Sequence, residues 1–508
     1  MVDASSRTDC CLVHPGSQKA IYQSLGQSLT AIEPPLWCRL ICGYLLDRGF
    51  TAEIIDSEAE SLHIDDVAKR VRTLQTKLVV IVATGHQPSA STQSMVSAGR
   101  IAKVIKNELP NQKIIMVGGH VSALPERTLR EEATDYVCKG EGPVTVAGLL
   151  QALSNSAENA DLSAIPGLVY RDGDAVRRNP SAPLIEDLDR DLHGNVWHKL
   201  PMDKYRAHNW QCFGAPKSRM PYASVYTTLG CPYKCSFCCI NAPFESNRYR
   251  RRAPQSVVDE FVHLRDHYGV QTFKIIDEMF VLNTKHVDAI CDLMIAAGGN
   301  FNIWAYARVD TVDASALEKM RRAGFQWLAL GIESGSAHVR DGARKSLASD
   351  DIVSTVRSIQ TAGINVIGNY IFGLPDDDHE SMQATLDLAM QLNCEFANFY
   401  TAMAYPGSPL YEIAKQRGWN LPERWSGYSQ HSYDTTPLAT NSVGPTEVLK
   451  FRDDAFQAYF SAPDYRAMIR RKFGADQVQQ IDAMQTVPLP RALLEGDLDV
   501  GRLDACRG

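Results

Sequence analysis

Two trains of short apolar runs, each interleaved with stretches of helical period, organise the chain. In the first train the strand-like runs fall at 11–15 (CLVHP), 51–56 (TAEIID), 79–84 (LVVIVA), 113–119 (KIIMVGG) and 135–140 (DYVCKG). Between them, 36–49, 65–75 and 95–109 carry apolar residues at helical spacing. Continuous apolar strands alternating with helices predict a parallel sheet covered on both faces, a doubly wound, Rossmann-like α/β domain over 1–150. Such sheets take ligands beyond the carboxyl ends of their strands. Small loops stand there: HPGS (14–17), TGHQPSAS (84–91), GGHVSALP (118–125) and GEGP (140–143). Residues 151–217, richer in Asn, Asp, Pro and Ser, read as a linker with one small hairpin at its RDGD turn.

The second train starts near 221, with strand-like runs at 223–230, 272–277, 302–309, 327–334, 364–374 and 396–405. Six β/α units predict an open sheet or a partial (β/α)6 barrel over 218–415, its chemistry on loops at the strand carboxyl ends. One intervening helix, 254–268, opens on Pro254 and aligns Val257, Val258, Phe261 and Leu264 on one side. Residues 416–508 read as a mainly helical C-terminal region.

A length of 508 residues exceeds one ordinary core. Hydrophobic content of 44% with 22% charged residues is that of a soluble globular protein. A net charge of −7 offers nothing to a phosphate backbone, which argues against a nucleic-acid partner. The one basic cluster, RYRRR at 248–252, reads as locally paired rather than as a phosphate clamp. No apolar run approaches the roughly 20 residues needed to span a bilayer, and the N-terminus lacks the pattern of a signal peptide. The expected location is cytoplasmic. Thirteen cysteines in a reducing compartment predict no disulfide scaffold; a clustered minority should bind metal and the rest should be core.

That minority is GCPYKCSFCC, 230–239. Cys231, Cys235 and Cys238 are a soft-ligand set for zinc or for iron–sulfur chemistry. Structural zinc needs a fourth ligand, but Cys239 follows directly on Cys238 and no histidine lies nearby. A four-iron cluster held by three cysteines leaves one iron open to a small molecule.

With Phe237 before the last cysteine, the motif resembles that of the radical S-adenosylmethionine (SAM) superfamily. The resemblance implies a 4Fe-4S cluster on Cys231, Cys235 and Cys238, SAM at the open iron and cleavage to a 5′-deoxyadenosyl radical. It also implies a reduced flavodoxin or ferredoxin as electron donor. Further stretches carry the likeness: IIDEMF (275–280), ARVD (307–310), GIESG (331–335), GNYIFGLP (368–375) and YPGSPLYE (405–412). They imply SAM contacts at Phe237, Asp277, Glu278, Arg308, Glu333 and the backbone near Gly373. Residue by residue, one of the two acids could instead cap a helix, and Arg308 could be a rim salt bridge.

The first domain extends the resemblance to the cobalamin-binding radical SAM enzymes, through EPPLW (33–37), VGGHVSALPE (117–126) and YVCKGEGP (136–143). Cobalamin contacts are implied at Gly118, Gly119, Ser122, Gly140, Glu141 and Gly142; the glycines let backbone approach a large planar ligand. No DxHxxG motif is present, and His14, His86 and His120 read as loop or hydrogen-bonding histidines rather than cobalt ligands. An unactivated carbon is not a nucleophile, so methylating it calls for a radical route, which this pairing of cofactors supplies. The implied function is a C-methyltransferase acting on a small metabolite, sugar or lipid intermediate. The alternatives are a cyclase or oxidoreductase with the same cofactors and a P-methyltransferase; a non-catalytic iron–sulfur or cobalamin sensor is disfavoured, since a sensor need not keep a whole SAM site. A methylthiotransferase would need a second cysteine triad, which Cys10, Cys11, Cys38, Cys42 and Cys138 do not form. The segment 424–437, with Tyr428, His431 and Tyr433, reads as a packed cover of the barrel mouth that could also touch substrate.

Overall fold

The structure is a computed structural model describing residues 8–16, 21–27, 29–85, 87, 89–155 and 161–495; His86 lies outside the described residues. The first sheet contains β1 (Cys10–His14), β2 (Ala52–Asp56), β3 (Leu78–Val82), β4 (Lys113–Val117), β5 (Tyr136–Cys138), β6 (Leu168–Asp172) and β7 (Ala175–Arg178). Their order is β2-β1-β3-β4-β5-β6-β7, and the first five are parallel. Alternation along a strand decides which core each side chain joins. Cys10 and Leu12 pack with Ile41 and Leu149 on one face, while Cys11 and Val13 pack with Val67 and Ile101 on the other.

The expected hairpin of the 151–217 linker is present, and the segment does more than connect. Its hairpin, β6–β7, pairs antiparallel with β5 through Val137↔Val169 and lengthens the first sheet. Farther on, Trp197, Tyr205 and Trp210 are buried, so the segment is an apolar wedge between the two sheets. Arg39 of the first domain lies 3.6 Å above the Trp197 ring and bonds Glu260 of helix Pro254–Tyr268.

The second sheet contains β8 (Tyr222–Val225), β11 (Thr272–Ile275), β12 (Asn302–Arg308), β13 (Phe325–Glu333), β14 (Asn365–Phe372) and β15 (Phe396–Thr401), with a small ribbon of β9 (Thr228–Leu229) and β10 (Arg250–Arg251). All six large strands are parallel, ordered β15-β14-β13-β12-β11-β8, with β8 and β15 at the open edges. The arc curls: Trp210 touches Trp304 of β12, Trp327 of β13 and Phe396 of β15, at ring distances of 5.1, 5.5 and 6.0 Å. These rings lie near the strand starts. They plug that end and leave the carboxyl ends for chemistry. Helices Pro445–Ser461, Pro463–Phe473 and Ala475–Gln485 follow, with Phe460 packed on Phe396 and Phe473 on Trp327.

Buried ion pairs join the two halves. Lys274 of β11 meets Glu33 at 3.2 Å, and Arg250 meets Glu141 at 2.6 Å with both side chains 5% exposed. Arg252 pairs with Glu260 at 2.5 Å, whereas Arg248 pairs with Glu186 at the surface. Three of the four arginines of the RYRRR cluster are thus taken up in ion pairs, of which only Arg252–Glu260 is local in sequence. No helix among the described residues is long and apolar enough to cross a membrane.

Candidate cofactor cleft and cysteine loop

The cysteine loop leaves β9 through Gly230, whose φ of +84° and closeness to the Arg248 carbonyl (an added Cβ would lie 2.1 Å from it) admit only glycine. Side chains and neighbouring backbone then fix the loop. Asn241 Nδ2 donates to the Cys231 carbonyl at 3.0 Å, Asn247 Nδ2 to that of Tyr233 at 3.0 Å, and the Ser236 N–H to that of Ala343 at 3.1 Å. Asp277 anchors the approach: its carboxylate accepts from the Thr227 N–H at 2.7 Å and from the hydroxyls of Thr227 and Thr228.

Cys231 is buried, and Cys235 and Cys238 are half-buried. Burial pushes the Cys231 thiol up to about 11 and Cys238 well above its ordinary range; Glu278 and Cys235 add to the first, and Cys239, Cys235 and Cys231 to the second. Thiolates at this place therefore need a cationic partner to exist at neutral pH. Three neighbouring thiols on one loop suit a cluster that offers each its own iron. Cys239 turns away into the interdomain cleft.

Two cations flank the loop. Arg308 reaches Cys235 Sγ at 3.8 Å, lies 4.3 Å over the Tyr233 ring and pairs with Asp310 at 2.7 Å. Lys345, which no motif pointed to, is buried against Glu333, and its charge favours the Cys235 thiolate. Glu333 sits at φ +66°, beside a register irregularity in the β13–β14 pairing, a conformation that turns its carboxylate back toward Lys345. Phe237 packs against Val339, Leu374 and Ala402. The Cα of Gly373, at φ +82°, faces Val448 of the C-terminal helices; an added Cβ would lie 2.6 Å from it.

The adjacent acids have different places. Asp277 is spent on the threonines, whereas Glu278 lines the cleft between the sheets, where burial pushes its carboxyl up to about 7. That cleft opens to solvent. One wall comes from the first sheet's carboxyl ends, with His14, Thr84, Ser91 and Gly119; the other comes from Cys239, Ile240, Phe244 and Ile276. An apolar cleft with few polar groups at strand carboxyl ends fits a large planar cofactor.

Gly118 is needed at φ +154°, since an added Cβ would lie 2.1 Å from the Ala83 carbonyl. Ser122 Oγ accepts the Gly140 N–H at 2.7 Å and so holds the GEG turn. Gly140 is open, and Gly142 abuts Val117 and Ile41. The carboxylate of Glu141, implied to meet cobalamin, is instead taken by Arg250 and the Ile185 N–H. His14 lines the cleft 3.9 Å from Glu58. His120 is packed inside, edge-on to Trp425 and bonded to Thr92, and burial holds it down to about 3. The 424–437 segment is a packed cover: Trp425 lies against Arg127 and His120, and Tyr405 donates to the Tyr428 carbonyl.

Comparison with known proteins matches residues 23–150 to the B12 binding domain and residues 225–389 to the Radical SAM superfamily. The chain is 31% identical over 82% of its length to an uncharacterized methyltransferase, PH0819, of Pyrococcus horikoshii, covering 85% of that protein. It is 28% identical over 79% of its length to the anaerobic magnesium-protoporphyrin IX monomethyl ester cyclase of Cereibacter sphaeroides, covering 62% of it. The radical SAM methyltransferase TsrM from Kitasatospora setae, solved with cobalamin and a [4Fe-4S] cluster, superposes with a TM-score of 0.67 at 19% identity, over 91% of this chain and 90% of that one.

Proposed function

The chain belongs to the cobalamin-binding radical SAM enzymes, and from that membership we propose that it methylates an unactivated carbon of a small-molecule substrate. The observation that carries the reading is the cleft itself. It lies between the ligand end of a doubly wound sheet and a three-cysteine loop, with Glu278 and Cys239 in its wall. When bound, the cluster supplies one-electron cleavage of SAM, and cobalamin supplies the methyl group to a carbon radical.

Cys231, Cys235 and Cys238 are the proposed cluster ligands. Arg308 and Lys345 offset their negative charge, and Glu333, held by Lys345, faces the same space. Glu278 can hold or release a proton near neutrality. The Gly118–Gly119 and Gly140–Gly142 turns let cofactor approach the backbone. The ion pairs and the wedge over 151–217 fix the two walls relative to each other, which orients both cofactors and keeps water out. A reduced flavodoxin or ferredoxin is the proposed electron source, supported by the exposed Lys234 between two of the cysteines, and the cytoplasm is the proposed compartment.

The test is metal content and SAM cleavage after anaerobic purification with cobalamin supplied and the cluster reconstituted. The reading expects about four irons and one cobalt per chain, with release of both 5′-deoxyadenosine and S-adenosylhomocysteine. Iron without cobalt would end the methyl-transfer reading. Ring closure or oxidation with the same cofactors is the second reading, supported by the likeness to the cyclase. It expects 5′-deoxyadenosine without S-adenosylhomocysteine, and a product that gains no carbon.

A further inference from the structure

Arg491, beyond the last long C-terminal helix, has a side chain only 1% exposed. Its Nε, Nη1 and Nη2 have no hydrogen-bond partner. The carboxylate paired with it, Asp453, stands 3.5 Å from Nε and is shared with Arg452, which donates to it at 2.7 Å. Two buried guanidinium groups therefore divide one carboxylate, which is itself partly open to solvent. A buried cation without enough acceptors is strongly unfavourable unless something supplies the missing charge.

Other unpartnered buried atoms point to the same place. Thr401 Oγ1, at the end of β15, and His431 Nδ1 have no partner. Gln430 connects them, accepting the Thr401 N–H at 3.1 Å and lying 3.3 Å from His431 Nε2. Burial, with the charge of Arg452 and Arg491, holds His431 well below its ordinary range, so its ring is neutral. The N-terminal segment straps this cluster: Gln23 Nε2 donates to the carbonyls of His431 at 2.7 Å and Pro490 at 3.2 Å. The ring of Tyr22, beside it, lies 5.3 Å from the His431 ring at a tilt of 36°.

We propose that this cluster seats an oxyanion carried by the substrate, a carboxylate or a phosphate, received by the Arg491 fork together with Thr401 and His431. A planar guanidinium with two free N–H edges matches such a group in a bidentate way. The rest of the substrate then runs past Tyr22 along the carboxyl end of β15, where Thr401 stands, toward the barrel mouth. Entry requires the strap at 21–27 to lift, because the cluster is sealed while Gln23 holds it. The inference rests on the enzymatic reading above and narrows its substrate to an acidic small molecule.

The test is calorimetric titration of the full-length wild-type chain with inorganic phosphate and, separately, with acetate, in a buffer free of other oxyanions. The two arms tell a phosphate from a carboxylate. Saturable binding of either is expected, weakened tenfold or more in Arg491→Met and less in Arg491→Lys, which keeps the charge but not the fork. Circular dichroism confirms that each variant is folded; should Arg491→Met not fold, Arg491→Lys and His431→Asn serve in its place. No saturable binding by the wild type, or equal binding by the folded variants, overturns the proposal. The enzymatic reading is judged separately, on 5′-deoxyadenosine release by the wild-type holoprotein, so failure of one is distinguishable from failure of the other.

Discussion

Replacing Asp277 by alanine should damage the fold around the cysteine loop, whereas changing its neighbour Glu278 should not. Asp277 is 1% exposed and accepts three hydrogen bonds, from the Thr227 N–H and from the hydroxyls of Thr227 and Thr228, three residues ahead of Cys231. Alanine leaves a sealed backbone N–H without an acceptor. The two hydroxyls can re-aim in part; His286 Nε2 already lies 3.4 Å from Thr227 Oγ1. Weighing one fully orphaned donor and two partly rescued ones gives a loss of about 3 kcal/mol. Asp277→Asn should recover most of it, because a hydroxyl can turn and accept from the amide. The loss also depends on pH. Burial raises the Asp277 carboxyl from 3.8 to about 6. A raised folded value means its stabilisation is complete below the unfolded pKa and fades as pH rises through the folded one. The deficit of Asp277→Ala should therefore be larger at about pH 5 than at about pH 7.5. Urea unfolding of the anaerobic protein at both pH values, with iron per chain, measures this. Wild-type stability and full iron in Asp277→Ala would refute the anchoring role. Glu278→Gln should keep iron and stability, gaining slightly above pH 7 where the buried carboxylate is costly, while SAM cleavage loses any pH limb near neutrality.

Alanine at Cys231, Cys235 or Cys238 should abolish iron binding, while Cys239→Ala should retain it, as iron assay of the four reconstituted variants would show. Gly118→Ala sets a Cβ 2.1 Å from the Ala83 carbonyl and should cost on the order of 3 kcal/mol and lower cobalt content. Breaking the Glu141–Arg250 pair by Arg250→Met should destabilise by about 3–5 kcal/mol in urea, since it strands a buried carboxylate. The double variant Glu141→Leu, Arg250→Met should recover much of that, short of the whole because the Ile185 N–H and carbonyl also lose their partners.

Local pattern alone determined a great deal of this protein. Continuous apolar runs such as LVVIVA can satisfy only strands buried on both faces, and the helical stretches between them force parallel pairing, so both sheets and their ligand ends were legible. Three cysteines within eight residues announce their chemistry without a fold, since the spacing keeps them on one loop. What the tertiary structure decided are the pairings across long separations. Nothing local marks Glu141 as the partner of Arg250, more than a hundred residues later, or Val448 as the residue that closes over Gly373. Nor does any spacing show Lys345 beneath Glu333, or the wedge over 151–217 that plugs the barrel through Trp210. Asp277 and Glu278 are adjacent carboxylates of the same chemistry. They stand in the turn just beyond β11, and only the packed neighbours on each side make one an anchor and the other a wall of the cleft.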